Sequence, residues 1–207
     1  MEIFFFKEIS STQKELIKAL KEGKVTPPIA YFSTYQTQGV GSRGNSWIGQ
    51  KGNFFLSVAL SKKELPNDLP LASSSLYFTF LFRECLREPK VWLKWPNDLY
   101  LGSKKVGGAL TNLVGEILVY GVGLNVVSAP QGFERVEVST DKLLECFLKR
   151  IEQKPSWKQV FSKYKIEFDK HRSFYTNING KKVAIDNAEL AEDGALILNG
   201  ERVYSLR

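Results

Sequence analysis

Residues 94–108 concentrate side chains that could bind phosphate together with a metal ion. The segment reads Lys-Trp-Pro-Asn-Asp-Leu-Tyr at its start and Lys-Val-Gly-Gly at its end. Asp98 offers a carboxylate, Asn97 an amide and Lys105 an ammonium group. The two glycines let a ligand approach the backbone closely. A Pro-Asn-Asp sequence alone is typical of an ordinary turn, but a run of this length with a nearby Lys-x-Gly-Gly is more specific.

The residues around these groups predict the strands that carry them. Bulky apolar residues flank the motif and predict a strand, a bend at Pro96, a second strand, a turn at residues 102–103, and a third strand. Proline lacks an N–H group and favours an extended residue before it. We therefore expect Asn97 and Asp98 to leave the strand ladder and face a pocket, with Lys105 returning to the same end.

A glycine-rich stretch that ends at Trp47 is the second segment with chemical potential. Gly39, Gly41 and Gly44 lie within six positions, which is unfavourable for the interior of a helix or strand. Arg43 carries a planar fork of donors that suits phosphate, and Trp47 offers a face on which adenine could stack. These residues favour a loop that orders over a nucleotide; a flexible surface linker is the simpler alternative.

The motif at 94–108 resembles that of biotin protein ligases, which join biotin to a lysine of a carrier protein. Four further segments match this family in order, at residues 11–13, 35–47, 52–57 and 121–126. Residues 11–13 resemble a Ser-Thr-Asn segment that contacts biotin. Residues 35–47 partly match the adenylate-binding loop, Gly-Arg-Gly-Arg-x-Gly-x-x-Trp, and residues 121–126 match a strand end with the pattern Gly-x-Gly-x-Asn. The resemblance implies an α+β fold related to class II aminoacyl-tRNA synthetases, with helices flanking a mixed β-sheet.

The resemblance also implies a two-step reaction. The biotin carboxylate attacks the α-phosphate of ATP to give biotinyl-5′-AMP and pyrophosphate, and a lysine of biotin carboxyl carrier protein then attacks the acyl carbon. Lys105 is expected to stabilise the negative charge of both steps, because a fixed cation is most effective in a water-poor site. Asp98 is expected to bind Mg²⁺ or to orient and deprotonate the carrier lysine, and the sequence does not separate these roles. Arg43 completes the expected catalytic set.

Binding residues follow from the same resemblance, position by position. The residues expected to contact biotin are Ser11, Thr12, Gln13, Gln36, Gly39, Gly41, Lys105, Gly108 and Gly123. Those expected to contact ATP or the adenylate are Ser42, Arg43, Trp47, Asn97, Lys105 and Asn125. The expected Mg²⁺ ligands are Asp98 and Asn125.

The glycine-rich loop departs from the family pattern at two positions. Val40 and Ser42 stand where the pattern has arginines. Loss of a charge-assisted contact to phosphate should weaken nucleotide retention by roughly 1.5 to 3 kcal/mol. We expect Arg43 to compensate in part, so that the protein releases biotinyl-AMP more readily than a ligase with both arginines.

Two other functions compete with biotin ligation. Lipoate ligases share the fold and the two-step logic, but their Arg-Arg-x-Ser-Gly-Gly-Gly segment is absent from this sequence. A catalytically inactive regulator that binds biotin or nucleotide is the other alternative. Retention of both Asp98 and Lys105 favours an enzyme, because a pure binder has less need of them.

Hydrophobic periodicity predicts the remaining elements. Strands are expected at 3–6, 29–35, 54–60 and 117–125, and helices at 70–86, 141–152 and 157–170, with a Thr12–Glu15 capping box opening the first helix. From residue 174 onward, short strands alternate with Asn-Gly and Asp-Gly turns, which resembles the SH3-like C-terminal domain of biotin protein ligases. We therefore predict a catalytic domain at 1–173 and a small SH3-like β-barrel domain at 174–207.

Composition indicates a compact cytoplasmic protein. With 207 residues, 43% of them hydrophobic, the chain can bury a substantial core in one principal domain. Cys85 and Cys146 lie in separate predicted helices without metal-ligand spacing, so we interpret both as packed free thiols in a reducing compartment. No apolar stretch resembles a signal peptide or a membrane span. The single histidine, His171, is expected to pack against a helix end rather than to act in catalysis.

The net charge of +7 is partly local, because residues 146–172 hold eight basic and three acidic side chains. A solvated helix face is the simplest interpretation, followed by steering of an acidic partner and, last, by nucleic-acid binding. Many ligases of the resembled family carry a DNA-binding domain before their substrate-binding segments, whereas in this sequence those segments begin by residue 10. We expect no specific DNA partner, and the resemblance is compatible with a homodimer.

Overall fold

The computed structural model describes residues 1–41, 45–48, 50–178 and 181–204. The helices are α1 Thr12–Lys21, α2 Ser74–Leu86, α3 Thr140–Gln153 and α4 Trp157–Lys170. The strands are β1 Glu2–Phe6, β2 Ile29–Ser33, β3 Gly39–Val40, β4 Ser46–Trp47, β5 Phe54–Ser61, β6 Val91–Lys94, β7 Asp98–Leu101, β8 Lys104–Val114, β9 Ile117–Leu124, β10 Tyr175–Ile178, β11 Lys181–Ala184, β12 Glu189–Leu190, β13 Leu196–Leu198 and β14 Glu201–Val203. Within these ranges, no helix combines the length and the apolar character needed to cross a lipid bilayer.

A seven-stranded mixed sheet in the order β1-β2-β5-β9-β8-β7-β6 forms the centre of the fold. The β1–β2 pair is parallel, and the other neighbouring strands are antiparallel. The predicted α+β class, with helices flanking a mixed sheet, is therefore confirmed. The three neighbouring strands β5, β9 and β8 are the longest in the sheet, and they form the platform for the site described below.

Side-chain alternation along the strands divides the core between the two faces of the sheet. Leu16 and Leu20 of α1 pack with Tyr31, Ala59 and Val119 on one face. The alternate strand positions face the other way and pack with α2, α3 and α4 in a larger hydrophobic cluster. This arrangement follows from the two-residue period of a strand, which sends successive side chains to opposite faces. The α1 face carries the site.

The start of α1 differs by one residue from the predicted capping box. Ser11, not Thr12, is the N-cap, and its hydroxyl oxygen accepts a hydrogen bond from Lys14 N at 3.4 Å. Glu15 accepts from Ser10 Oγ at 2.6 Å instead of capping the helix. Thr12 thus becomes the first helical residue and its side chain is free for other contacts.

The predicted hairpin is present, but Asp98 does not leave the strand ladder. Residues 95–97 form the turn, and Asp98 pairs with Lys94 on β6 and with Gly108 on β8. The expectation for Asp98 was wrong because the bend is complete before β7 begins. The Asp98 side chain reaches the site through the ordinary alternation of strand side chains.

The two cysteines correct another prediction. Cys85 of α2 and Cys146 of α3 are joined in a disulfide, with their Cα atoms 5.8 Å apart, and are not free thiols. The two helices pack side by side on the sheet, which brings together positions 61 residues apart. Sequence spacing does not reveal such a contact.

The C-terminal part forms a two-stranded sheet, β10-β11, and a three-stranded sheet, β12-β13-β14. Ile185, Ala188, Leu190 and Leu196 belong to the same hydrophobic cluster as the first part of the chain. The indole N–H of Trp95 donates to Gly194 O at 2.9 Å. The closed SH3-like barrel and a domain boundary after residue 173 stay predictions.

Glu84 joins three helices through charged contacts. Its carboxylate oxygens lie 2.8 Å from Arg150 Nη2 on α3 and 2.8 Å from Lys163 Nζ on α4. Burial alone would raise the pKa of Glu84, but hydrogen bonds from Lys163 and Arg150 outweigh it and hold the pKa below its ordinary value. A lowered folded-state pKa stabilises the protein above the unfolded-state pKa, and this stabilisation is lost as pH falls through the folded-state pKa.

We expect Glu84→Gln to lower the free energy of unfolding by about 1 kcal/mol at pH 7, because the partly buried Arg150 and the exposed Lys163 both lose their anionic partner. The difference from the wild type should shrink as pH falls from the ordinary glutamate pKa of about 4.3 through the lower folded-state pKa of Glu84, because the wild-type carboxylate then becomes protonated too. Urea unfolding at pH 7 and at pH 3.5 measures both values. Glu145→Gln, at an exposed position of α3, is the control. A pH-independent difference would contradict the assignment.

Candidate active site

Small residues on the α1 face of the sheet leave a cavity of about 350 Å³ beyond the N-terminus of α1. Ser57 of β5 pairs with Gly121 of β9, and Gly108 of β8 pairs with Gly123 of β9. Ala59 and Val119, further along the same strands, pack under α1. The missing side-chain volume beside them therefore leaves an open cavity floor, which Gly108 and Gly123 line; their predicted contact with biotin stays a prediction.

A chain of hydrogen bonds crosses one end of the cavity. Ser57 Oγ donates to Thr12 Oγ1 at 2.9 Å, and Thr12 Oγ1 donates to Gln36 Oε1 at 3.0 Å. The Thr12 backbone N–H also donates to Gln36 Oε1, at 2.7 Å. Ser11 and Gln13 line the same end, and all five side chains are buried. Five buried polar side chains thus surround one small volume, and Ser57 is the member of this set that was not predicted.

The Lys105 ammonium and the Asp98 carboxylate form an ion pair at the cavity wall. Lys105 Nζ lies 2.6 Å from Asp98 Oδ1, and the two side chains are 25% and 27% exposed. Both also line the cavity. A Cβ atom at Gly108 would lie 3.0 Å from Asp98 Oδ1 and 3.2 Å from Lys105 Nζ, so glycine makes room for the pair. The predicted convergence of Asp98 and Lys105 is present in the structure.

A second ammonium group stands beside this pair. Lys94 Nζ lies 3.3 Å from the Tyr100 hydroxyl oxygen and 4.8 Å from the centre of its ring. Burial lowers the pKa of Lys94; Asp98 opposes this shift, whereas Lys105 and Lys182 add to it. Burial also raises the pKa of Tyr100 to about 12. The wall around Asp98 is therefore rich in positive charge.

Trp47 covers Gly123 at the other side of the cavity. A Cβ atom at Gly123 would lie 3.0 Å from the Trp47 ring, and Lys105 Nζ lies 5.8 Å from its centre. Gly41 lines the cavity near Trp47, whereas Gly39 is buried and lines a neighbouring surface cavity. At Gly39 a Cβ atom would lie 2.7 Å from Trp47 O, which explains why glycine is required there.

Besides Gly39, two predicted residues lie outside the cavity lining, Asn97 and Asn125, and two more lie outside the described ranges. Asn97 uses its side-chain nitrogen to donate to Ala109 O. The Asn125 side chain is 1% exposed and donates to Glu134 O at 3.1 Å, and its Oδ1 has no hydrogen-bond partner among the described residues. Ser42 and Arg43 fall in the segment 42–44, which the structure does not describe.

Ser57 and Phe133 line the cavity and were not predicted. Ser57 is the polar residue in the interior of the apolar strand β5, and this break in the apolar pattern is the signal that could have identified it. Phe133 is 40% exposed in the loop after β9. The loop is held beside the site because Glu134 N donates to Lys105 O at 3.0 Å. No periodic pattern marks such a loop residue.

The donor set at the cavity fits a nucleotide-bound metal ion better than a metal held by protein alone. The described residues contain no group of three or more His, Cys, Asp or Glu side chains placed to hold a metal. Asp98 is the one carboxylate among the described lining residues. Mg²⁺ at nucleotide sites is commonly held by one or two carboxylates together with substrate phosphates and water. A single carboxylate such as Asp98 therefore fits a metal ion whose other ligands come from nucleotide phosphates and water.

Comparison with known sequences points to one family. A model of the biotin/lipoate A/B protein ligase family matches residues 5–127. The bifunctional ligase/repressor BirA of Escherichia coli is 33% identical over 127 residues, which cover 57% of this chain and 38% of that protein. The matched stretch thus spans well under two thirds of the curated relative.

Comparison with solved structures covers nearly the whole chain. The biotin acetyl coenzyme A carboxylase synthetase of Helicobacter pylori, with bound biotinylated ATP, has a TM-score of 0.93 at 40% identity and covers 98% of this chain and 99% of its own. The biotin protein ligase of Aquifex aeolicus, in complex with biotin and ATP, has a TM-score of 0.77 at 26% identity, with coverage of 100% and 96%.

Proposed function

Because the chain belongs to the biotin/lipoate A/B protein ligase family, we propose that it is a biotin protein ligase that activates biotin with ATP and transfers it to a carrier lysine. The observation that carries this proposal is the placement of the Lys105–Asp98 pair and the Ser57–Thr12–Gln36 hydrogen-bond chain around one cavity. The solved relative with bound biotinylated ATP shares this fold along 98% of the chain.

In the first step, the biotin carboxylate attacks the α-phosphate of ATP. A bond forms between the carboxylate oxygen and phosphorus, and the bond to pyrophosphate breaks, which leaves biotinyl-5′-AMP. Lys105 is placed to offset the negative charge that two anions bring together. The Lys105 side chain is only a quarter exposed and its ammonium is held by Asp98, so little reorganisation is needed during the reaction.

In the second step, the carrier lysine amine attacks the acyl carbon and AMP leaves. The amine must lose a proton to form the amide bond. Asp98 is the carboxylate at the cavity wall and is placed to accept that proton or to orient the amine. The leaving phosphate remains beside Lys105.

The Ser57–Thr12–Gln36 chain is suited to a ring that bears N–H and C=O groups. Thr12 Oγ1 accepts from Ser57 and donates to Gln36, which leaves it able to accept from a ligand N–H. The ureido ring of biotin offers such groups, whereas the dithiolane ring of lipoate does not. A site built for hydrogen bonds discriminates strongly against a ligand that leaves its polar groups unpaired.

ATP is the second substrate of this reaction, and Mg²⁺ bound to its phosphates would supply further charge neutralisation. Asp98 is the residue that would contact this ion. The proposed protein partner is biotin carboxyl carrier protein, from acetyl-CoA carboxylase or another biotin-dependent carboxylase. We propose a cytoplasmic location, because the proposed reaction consumes ATP. A specific DNA partner is not part of this proposal, and a homodimer stays a prediction.

Incubation with labelled biotin, ATP-Mg²⁺ and an isolated biotin carrier domain tests the function. We expect labelled carrier only when all components are present, and preference for biotin over lipoate by roughly 10⁴-fold in kcat/KM because lipoate leaves the polar groups of the site unpaired. Parallel reactions contain lipoate with a lipoyl domain. Labelling of the lipoyl domain alone would identify a lipoate ligase, and binding of biotin without adenylate formation would identify an inactive regulator.

A further inference from the structure

The Gln13 side chain lies across the floor of the sheet under the N-terminus of α1. It is 4% exposed, and its amide nitrogen donates two hydrogen bonds. One goes to Asn112 Oδ1 at 3.0 Å and the other to Val119 O at 3.1 Å. Asn112 and Val119 are register partners on β8 and β9, so a single cross-strand pair supplies both acceptors.

The oxygen end of the same amide lies next to Gly121 and Ser57, two residues that line the cavity. A Cβ atom at Gly121 would collide with Gln13 Oε1 and would lie 3.2 Å from Ser57 Oγ. Ser57 and Gly121 are also register partners and both line the cavity. Gln13 Oε1 is buried and has no hydrogen-bond donor among the described residues. The amide therefore bridges two cross-strand pairs, with its acceptor end left unsatisfied beside the site.

Two satisfied N–H groups define which way a terminal amide points. A neutral amide can rotate by 180° about its last bond and exchange its nitrogen and oxygen. Rotation of Gln13 would direct its oxygen at two acceptors, Asn112 Oδ1 and Val119 O, which is unfavourable. Without the Asn112 acceptor, one of these two constraints disappears.

We propose that Asn112 is a positioning residue, which fixes the Gln13 amide so that an acceptor faces the ring end of the cavity. The proposal rests on the proposed biotin ligase function and names a specificity device outside the cavity lining. Asn112 itself is exposed, and the alternation of side chains along β8 puts it on the same face of the sheet as Gly108 and Leu110, two positions that line the cavity. It acts through Gln13, and a ligand with a ring N–H is the chemistry that this orientation favours.

Two substitutions of Asn112, with side chains of similar shape, test whether its side-chain oxygen, the acceptor for Gln13, is what matters. Asn112→Leu removes the acceptor, and Asn112→Asp keeps a carboxylate oxygen in its place. We expect Asn112→Leu to raise KM for biotin about three- to tenfold, the effect of one neutral hydrogen bond, with kcat within about twofold of wild type. Asn112→Asp should keep the wild-type KM. Leu113→Ala, at the next and exposed position of β8, is the control.

A spectroscopic readout distinguishes positioning from general stability. The side-chain NH₂ signal of Gln13 is identified in ¹⁵N spectra by its loss in Gln13→Leu. Its protons should exchange slowly with solvent in wild type and Asn112→Asp, and faster in Asn112→Leu. Thermal unfolding should change little, because the substituted position is exposed.

A wild-type KM for Asn112→Leu, or equal impairment of Asn112→Asp and Asn112→Leu, would overturn the proposal. A similar rise in KM for Leu113→Ala would also overturn it, since the effect would then belong to β8 as a whole. Failure of the proposed function is separately visible, because the wild-type protein would then transfer no biotin in the same assay.

Discussion

Lys105→Ala is expected to reduce biotinyl-adenylate formation by about a hundredfold or more, the usual effect of removing one fixed electrostatic stabiliser. The reason lies in the geometry of the ion pair. Lys105 Nζ is held 2.6 Å from Asp98 and only a quarter of the side chain is exposed, so water cannot replace the lost cation effectively. Biotin-dependent exchange of label between ATP and pyrophosphate measures this step.

Lys104→Ala is a matched control on the same strand. Lys104 is 57% exposed and lies 3.6 Å from Glu134, so it should leave adenylate formation near the wild-type rate. Circular dichroism and thermal unfolding establish that both variants fold. If folded Lys105→Ala exchanged label between ATP and pyrophosphate at the wild-type rate, Lys105 and its hairpin would have no role in the proposed activation step.

Asp98→Asn is expected to reduce transfer of biotin from the adenylate to the carrier lysine by about a hundredfold, within the range for loss of a general base. The amide has nearly the same shape but cannot accept the proton that the attacking amine loses. It also leaves the Lys105 ammonium without its anion. Single-turnover transfer from preformed biotinyl-AMP isolates this step from activation.

Asp141→Asn, at an exposed position of α3, is the control for Asp98→Asn. A transfer rate near that of the wild type would show that Asp98 is not needed for proton removal. If the exchange reaction fell while transfer did not, the carboxylate would act with ATP and its metal ion in the first step alone. Measuring both half-reactions therefore separates the two roles that the sequence left open.

The sequence predicted those parts of the site that lie close together along the chain. The turn at Gly102 and Ser103 and the flanking strands follow from local turn and strand preferences. Once the hairpin forms, β7 and β8 must run side by side, so Asp98 and Lys105 meet across one short connection. The chemistry of these two residues was therefore accessible without a structure.

Errors arose where a residue's environment depends on distant segments. The exact N-cap of α1 and the place of Asp98 in the ladder depend on register, which shifts by one residue without much change in the sequence pattern. Cys85 and Cys146 meet only because α2 and α3 pack against each other. Free thiols were a reasonable prediction from composition, but helix packing contradicts it.

The sequence by itself determined the α+β class, the family resemblance, and the identity of the Asp98–Lys105 pair. The tertiary structure decided the rest of the cavity: the Ser57–Thr12–Gln36 chain and the Gln13–Asn112 contact each join positions more than twenty residues apart. Local propensity fixes which strands and helices form, but it contains no information on their relative register and face. Hydrogen bonds between such elements exist only after the hydrophobic core has fixed both, because burial of the strand faces sets the register and thereby the distances between the polar groups.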